Sequence, residues 1–381
     1  MARSFLCLAL LLLTAQGFPI SSSKASKKTK VTNDRNKGNG GGGFGAIKHP
    51  VAVLHKVDES VSGLIQFLTS FQSEGIGSGS GTEIGSCLET GIRGMYATQS
   101  FKKGDILCKI PSDLALALSD PAETSDDVPT LAHSGRNLLN MYVNHPERSI
   151  TWAPYLESLP TQDNFDPTPD FYSDDELELL EFPRLIEYAK RRKQNIIHVA
   201  SETDGMSMDD LQFATWLVSS RSFNIQISDS DGETTFDEAG RAIAKTQAKS
   251  VCVMVPYLDL VNHNSNSANA EVHIIDPDQD AAWFSLRATR PIVAGKEITI
   301  CYGSGAESSV ELFANYGFVP SENRIDAYML RKGGEGCLST DQWTTTLEED
   351  TIMLQGLEHG NLRNILAFRA RLKKAYGELN N

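Results

Sequence analysis

Two stretches of this chain echo one another across almost two hundred residues, and they limit its architecture more than any other feature. Ala97-Thr98-Gln99-Ser100-Phe101-Lys102-Lys103-Gly104-Asp105-Ile106 parallels Ala288-Thr289-Arg290-Pro291-Ile292-Val293-Ala294-Gly295-Lys296-Glu297-Ile298. Each sets a glycine-containing turn between two short apolar runs, which predicts two similar hairpins in one sheet system. Strand-type patterning covers residues 83–110 and returns over 250–301, with turns at Thr90-Gly91 and Lys103-Gly104-Asp105. Between the two blocks, residues 136–143, 174–192 and 208–223 carry helical spacing, and Ser207 with Asp210 marks a helix start. The two strand blocks therefore have to meet in space across a helical insertion of about residues 121–250, giving an α+β core. Apolar residues at 57, 61, 64, 65 and 68 predict a helix ahead of the core, broken by the glycines of 75–81. Another amphipathic helix runs through Leu362, Ile365, Leu366, Arg369 and Leu372.

The first fifty residues read as an address, not as part of the fold. Arg3 precedes an eleven-residue apolar run over 5–15, and Ala15-Gln16-Gly17 offers a small-residue cleavage site. Eleven residues are too few for a membrane span of about 20. Residues 1–17 are therefore expected to be a signal peptide, and 18–50 a targeting and linker segment rich in Ser, Lys and Gly. A signal followed by Phe18 and a Ser/Lys-rich stretch is similar to the two-part plastid address of algae with secondary plastids. The expected destination is the plastid stroma, with the secretory pathway as the alternative.

Eight basic groups and one acid give residues 1–50 a charge of +7; the whole chain carries -14, so residues 51–381 carry -21. A body this acidic repels nucleic acid and attracts a basic protein segment. The six cysteines are widely spaced, with no Cys-x-x-Cys pair and no Cys/His cluster, so no zinc site or disulfide framework is signalled.

Three short segments carry the chemistry. Thr90-Gly91-Ile92-Arg93-Gly94-Met95 lets backbone approach a ligand closely. Pro256-Tyr257-Leu258-Asp259-Leu260-Val261-Asn262-His263 places an amide and an imidazole at the end of an apolar stretch. Ile298-Thr299-Ile300-Cys301-Tyr302-Gly303 delivers a phenol at a strand end, and Asn315-Tyr316-Gly317-Phe318 follows. In this order the segments resemble a SET-domain methyltransferase, more narrowly the branch that includes the Rubisco large-subunit lysine methyltransferase. Trp152-Ala153-Pro154-Tyr155-Leu156-Glu157-Ser158-Leu159-Pro160 and Trp216-Leu217-Val218-Ser219-Ser220-Arg221-Ser222-Phe223 support the narrower match.

The resemblance implies a SET β-core of short strands over residues 83–320, preceded by a helix and linker over 51–82. Residues 321–381 would be the family's helical substrate-binding region, shortened here to about 60 residues. S-adenosylmethionine would be held by the backbone of Gly91, Ile92 and Arg93, by Arg221 at its carboxylate, and by Asn262 and His263. Tyr302 would be the catalytic residue, and Asp259 and Tyr316 would line the channel for the substrate lysine; no metal is implied. The expected activity is protein-lysine N-methylation of a non-histone protein, with no nucleic acid partner and no stable membrane insertion after signal cleavage. Two departures bear on the substrate: Ile225 stands where the family has a second arginine, and Ala270 where it has a channel tyrosine. They favour, as an alternative, a catalytically inactive binding module; the resemblance also leaves a histidine N-methyltransferase as an alternative, since some relatives methylate a histidine ring.

Overall fold

The computed structural model describes residues 55–118, 130–227, 234–236, 242–244, 249–275, 282–331 and 343–379. The segment 1–50, read above as an address, and Cys337 lie outside the described residues.

Short strands assemble into three small sheets and a separate hairpin. In the largest the spatial order is His55–Val57, Thr82–Cys87, Arg93–Ala97, Glu297–Ile300, Asn262–His263. All its neighbours are antiparallel except the last pair, in which Asn262 faces Thr299 and His263 faces Ile300 in parallel. A second sheet orders Ala270–Ile275, Trp283–Ala288 and Ile106–Pro111. A third orders Leu116–Ala117, Lys249–Met254 and Ser222–Ile227, and Thr234–Phe236 pairs with Ala242–Ala244.

The two echoing stretches do not form two hairpins. Each is a connector that leaves one sheet and enters another, and the two run antiparallel against each other. Gly295 N–H donates to the Ala97 carbonyl at 2.7 Å, Phe101 and Ile292 exchange bonds at 2.8 and 3.0 Å, and Gly104 N–H donates to Ala288 at 2.8 Å. The reason is register: Arg93–Ala97 pairs with Glu297–Ile300 and Ile106–Pro111 pairs with Trp283–Ala288, so both connectors span the same gap. Repetition in sequence here encodes mutual pairing, and it brings strand blocks far apart in the chain into one core.

The insertion is helical where its pattern is, with two corrections. The helix expected over 174–192 is two helices, Asp174–Glu178 and Pro183–Ser201. Glu181 sits at φ 54, and Pro183, which has no N–H to donate, begins the second helix. The helix expected over 208–223 ends at Arg221, and Ser222–Ile227 is already a strand, so strands return well before residue 250. The β-branched and aromatic pairing of Phe223 with Val253 and Ile225 with Val251 outweighs the continuing apolar run.

One apolar core joins the sheets to the helices of the insertion. A second joins Phe182 and Leu185 of the insertion to Val310 and Phe313 of Ser309–Tyr316 and to Ile365, Phe368 and Leu372 of the C-terminal helix Asn361–Leu379. The C-terminal region therefore packs on the insertion and on the helix that delivers Tyr316.

Candidate active site

The parallel pairing of Asn262–His263 with the strand ending at Ile300 fixes where the next residues of each segment fall. Two residues beyond Ile300, the backbone N–H of Tyr302 donates to Nδ1 of His263 at 2.9 Å. Its hydroxyl donates to the carbonyl of Val261 at 2.8 Å. Tyr302 is thus tied at both ends to residues on either side of Asn262. Burial pushes its phenol well above the ordinary tyrosine value, so it stays protonated at neutral pH.

An aromatic wall surrounds it. The Tyr316 ring lies 4.7 Å from the Tyr302 ring, centroid to centroid, and the Phe318 ring lies 5.9 Å from the His263 ring. Burial raises the Tyr316 phenol to about 12. Both tyrosines are half-buried. Tyr316 ends a helix opened by the Ser308–Glu311 capping box and closed by Gly317 at φ 79. A Cβ at residue 317 would run into the Asp166 carbonyl, so only glycine lets the chain turn here against the insertion.

Asn262 holds the first segment to the second. Its Nδ2 donates to the Arg93 carbonyl and to Glu297 Oε1, each at 2.8 Å. Gly94 makes room for this: a Cβ there would sit 2.6 Å from Glu297 Oε1 and 2.8 Å from Asn262 Nδ2. Arg93 turns its side chain inward toward Asp58, at 3.9 Å, and the Ser158 carbonyl, at 3.4 Å. Gly91, at φ 70, and Ile92 are exposed on the adjoining turn.

Arg221 reaches the site from the last turn of helix Met208–Arg221. Its Nη1 donates to the backbone carbonyl of Asp259 at 3.2 Å and to its Oδ2 at 3.3 Å. The same Oδ2 accepts from the Tyr155 hydroxyl at 3.0 Å. Asp259 is buried, and desolvation raises its carboxyl above the usual range against the opposing pull of Arg221. Its carboxylate is therefore engaged with Arg221 and Tyr155 from within the core.

Two donors are left over. Nδ1 of His263 accepts the Tyr302 N–H, which places the ring proton on Nε2, and that Nε2 is buried with no partner. Burial also holds His263 below the ordinary histidine value, in its neutral form. Nε of Arg221 is likewise buried and unpartnered. Unpaired buried donors are costly, and an imidazole N–H and a guanidinium N–H suit a ligand that carries a carboxylate and other acceptors. Among the described residues no group of His, Cys, Asp or Glu is placed to hold a metal ion, and Cys87, Cys108, Cys252 and Cys301 form no disulfide.

The structure brings together Arg93, Arg221, Asp259, Asn262, His263, Tyr302 and Tyr316, and sets Gly91 and Ile92 on the turn beside them. Sequence reasoning assigned no role to Tyr155, Glu297 or Phe318. Tyr155 and Phe318 stand inside the quoted motifs, while nothing in the sequence marks Glu297 as the partner of Asn262. Ala270, in the place of a channel tyrosine, is a buried strand residue paired with Ala288.

A family model described as SET domain matches residues 92–303, more than half of the chain. The chain is 25% identical to ribosomal lysine N-methyltransferase 4 of Saccharomyces cerevisiae over 260 residues, 61% of this chain and 50% of that protein. It thus spans about half the length of that curated relative. The SET domain of LSMT bound to lysine and AdoHcy shares the fold at 15% identity and a TM-score of 0.56, over 84% of this chain and 90% of that one. Rubisco LSMT bound to AdoMet gives a TM-score of 0.56 at 15% identity over 85% and 91%. With the family match running from residue 92 to residue 303, over more than half of its length, the chain belongs to the SET-domain family.

Proposed function

We propose that this chain is an S-adenosylmethionine-dependent protein-lysine N-methyltransferase acting on a non-histone protein. One observation carries the reading: Tyr302 is bonded at its backbone to His263 and at its hydroxyl to Val261, beside two buried donors without partners. Nε–H of Arg221 would take the cofactor's carboxylate, a charge-assisted bond. His263, Asn262 and the backbone of Gly91, Ile92 and Arg93 would hold the remainder. When bound, the cofactor supplies an electrophilic methyl group on a sulfonium.

The residues of the chain do the rest. A lysine amine, with an ordinary pKa of about 10.4, has to arrive neutral. A passage walled by Tyr302, Tyr316 and Phe318, closed to water by the substrate, would disfavour the ammonium form through desolvation. The Tyr302 proton is committed to the Val261 carbonyl, so the phenol oxygen keeps its lone pairs for an amine N–H. Because burial keeps that phenol protonated, Tyr302 orients the amine and does not act as a base. The acidic body suits a basic protein segment as substrate. Delivery to the plastid stroma by residues 1–50 belongs to the same reading, and a fluorescent fusion of those residues tests it separately. No helix among the described residues is long and apolar enough to cross a membrane.

Calorimetry with S-adenosylmethionine and transfer of labelled methyl from it to proteins of a plastid extract test the activity. Binding with labelled protein supports the proposal. Binding with no labelled protein favours the inactive module, and no binding sinks the cofactor reading.

A further inference from the structure

Tyr316 is held from an unexpected side. The residues next to it, Ala314, Asn315 and Gly317, all contact the helical insertion. The Asn315 side-chain carbonyl accepts from the Tyr188 hydroxyl at 2.9 Å, and its backbone carbonyl accepts from Ser219 Oγ at 2.8 Å. Arg192, buried, donates from Nη1 to Ser219 Oγ at 3.1 Å and to the Ala314 carbonyl at 3.3 Å. Asp170, also buried, lies 3.5 Å from Arg192 Nε and balances its charge. Ser219 stands two residues before Arg221 on the same helix. One buried guanidinium thus joins the helix that carries Arg221 to the last turn of the helix that carries Tyr316.

We infer that Arg192, Ser219 and Tyr188 form a positioning clamp that sets the gap between the Tyr316 and Tyr302 rings, and so decides whether a methylated or an unmethylated amine fits there. The inference rests on the proposed lysine channel. Two helices whose ends are fixed by a charged hub cannot slide past each other without breaking bonds made in a low-dielectric interior, where they are strongest. The Tyr302 side of the gap is fixed independently, by His263 and Val261. Loosening the clamp therefore moves one wall only. Each methyl group on an amine replaces a hydrogen with a larger group, so a shift of one wall by a fraction of an ångström changes the preference between the two amines. None of the clamp residues is among those assigned to the amine or the cofactor, and the two ties on Asn315 reach the site through Tyr316.

Tyr188→Phe and Ser219→Ala cut the two ties on Asn315 while leaving the Arg192–Asp170 pair in place. With the full chain saturated in S-adenosylhomocysteine, calorimetry with L-lysine and with Nε-methyl-L-lysine reads the ratio of the two affinities. The expected result is a ratio shifted at least threefold in both variants, with affinity for S-adenosylhomocysteine within twofold of the parent. An unmoved ratio in both overturns the clamp, as does a parallel loss of S-adenosylhomocysteine affinity, which marks a general loosening of the fold. If the parent binds S-adenosylhomocysteine but neither amine, the lysine channel itself is wrong and the clamp falls with it.

Discussion

Tyr302 and Val261 are joined by a 2.8 Å hydrogen bond from phenol to backbone carbonyl, across 41 positions of sequence. The bond spends the phenol's only proton on the protein, which fixes the ring and leaves its oxygen as an acceptor. Tyr302→Phe keeps the ring in its aromatic wall and removes only the hydroxyl. Methyl transfer should fall by more than tenfold while calorimetric affinity for S-adenosylmethionine stays within about twofold, since the lost neutral bond is worth about 1 kcal/mol to stability. Undiminished transfer in the variant would remove Tyr302 from its catalytic role.

His263 sets an acid limit. Its Nδ1 accepts the Tyr302 N–H, so a second ring proton would set two donors face to face. Burial lowers its folded-state pKa below the ordinary histidine value of about 6.5, so between the two values the unfolded chain binds more protons than the folded one. This contribution to stability is present above about pH 6.5 and is lost as pH falls toward the folded value. Melting temperature followed from pH 7.5 down to 5 should decline, and His263→Gln should flatten part of that decline. A slope identical in both proteins would contradict the assignment.

Gly94→Ala tests the junction of the first and second segments. The added Cβ would displace Glu297 Oε1 and Asn262 Nδ2, which are bonded to each other. Overpacking of this kind costs about 1–3 kcal/mol. Affinity for S-adenosylmethionine should drop more than stability does, because Asn262 is the displaced group; calorimetry beside thermal melting separates the two effects.

Asp259→Ala leaves the part-buried Arg221 without its carboxylate and the buried Tyr155 without its acceptor. Removing one partner of a buried ion pair costs about 3–5 kcal/mol, so the midpoint of urea denaturation should fall sharply. A loss under about 1 kcal/mol, the scale of an exposed pair, would show that the pair is solvated.

Asp350 offers a comparison away from the site. It accepts from Arg369 Nη2 at 2.8 Å and from Lys373 Nζ at 2.6 Å, locking helix Leu347–Gln355 onto the C-terminal helix. Asp350→Ala should destabilise by a similar few kcal/mol and leave S-adenosylmethionine affinity unchanged. Equal loss of affinity would tie the C-terminal region to the cofactor site.

Much of this was legible in the chain. Gly-Ile-Arg-Gly, Asn-His and the strand-end Tyr are local signals, and spacing alone pointed to two strand blocks about a helical insertion. The helix break before Pro183 was open to reading from that proline, whereas the early strand at Ser222 was not legible, because an apolar run of that length suits a buried helix and a buried strand alike. The echoing stretches pair with each other and not as separate hairpins, and a turn-like pattern says only that the chain reverses or pairs, not with what.

Sequence alone settled which residue types were available and which short segments each had to belong to, because periodicity and turn chemistry are written in neighbouring residues. Only the tertiary structure decided that Asp259 answers to Arg221 and Tyr155, that Glu297 steadies Asn262, and that the insertion grips the residues beside Tyr316. Those pairings join positions 35 to 127 residues apart, and side chains that distant find one another only through packing and burial, for which no local pattern exists.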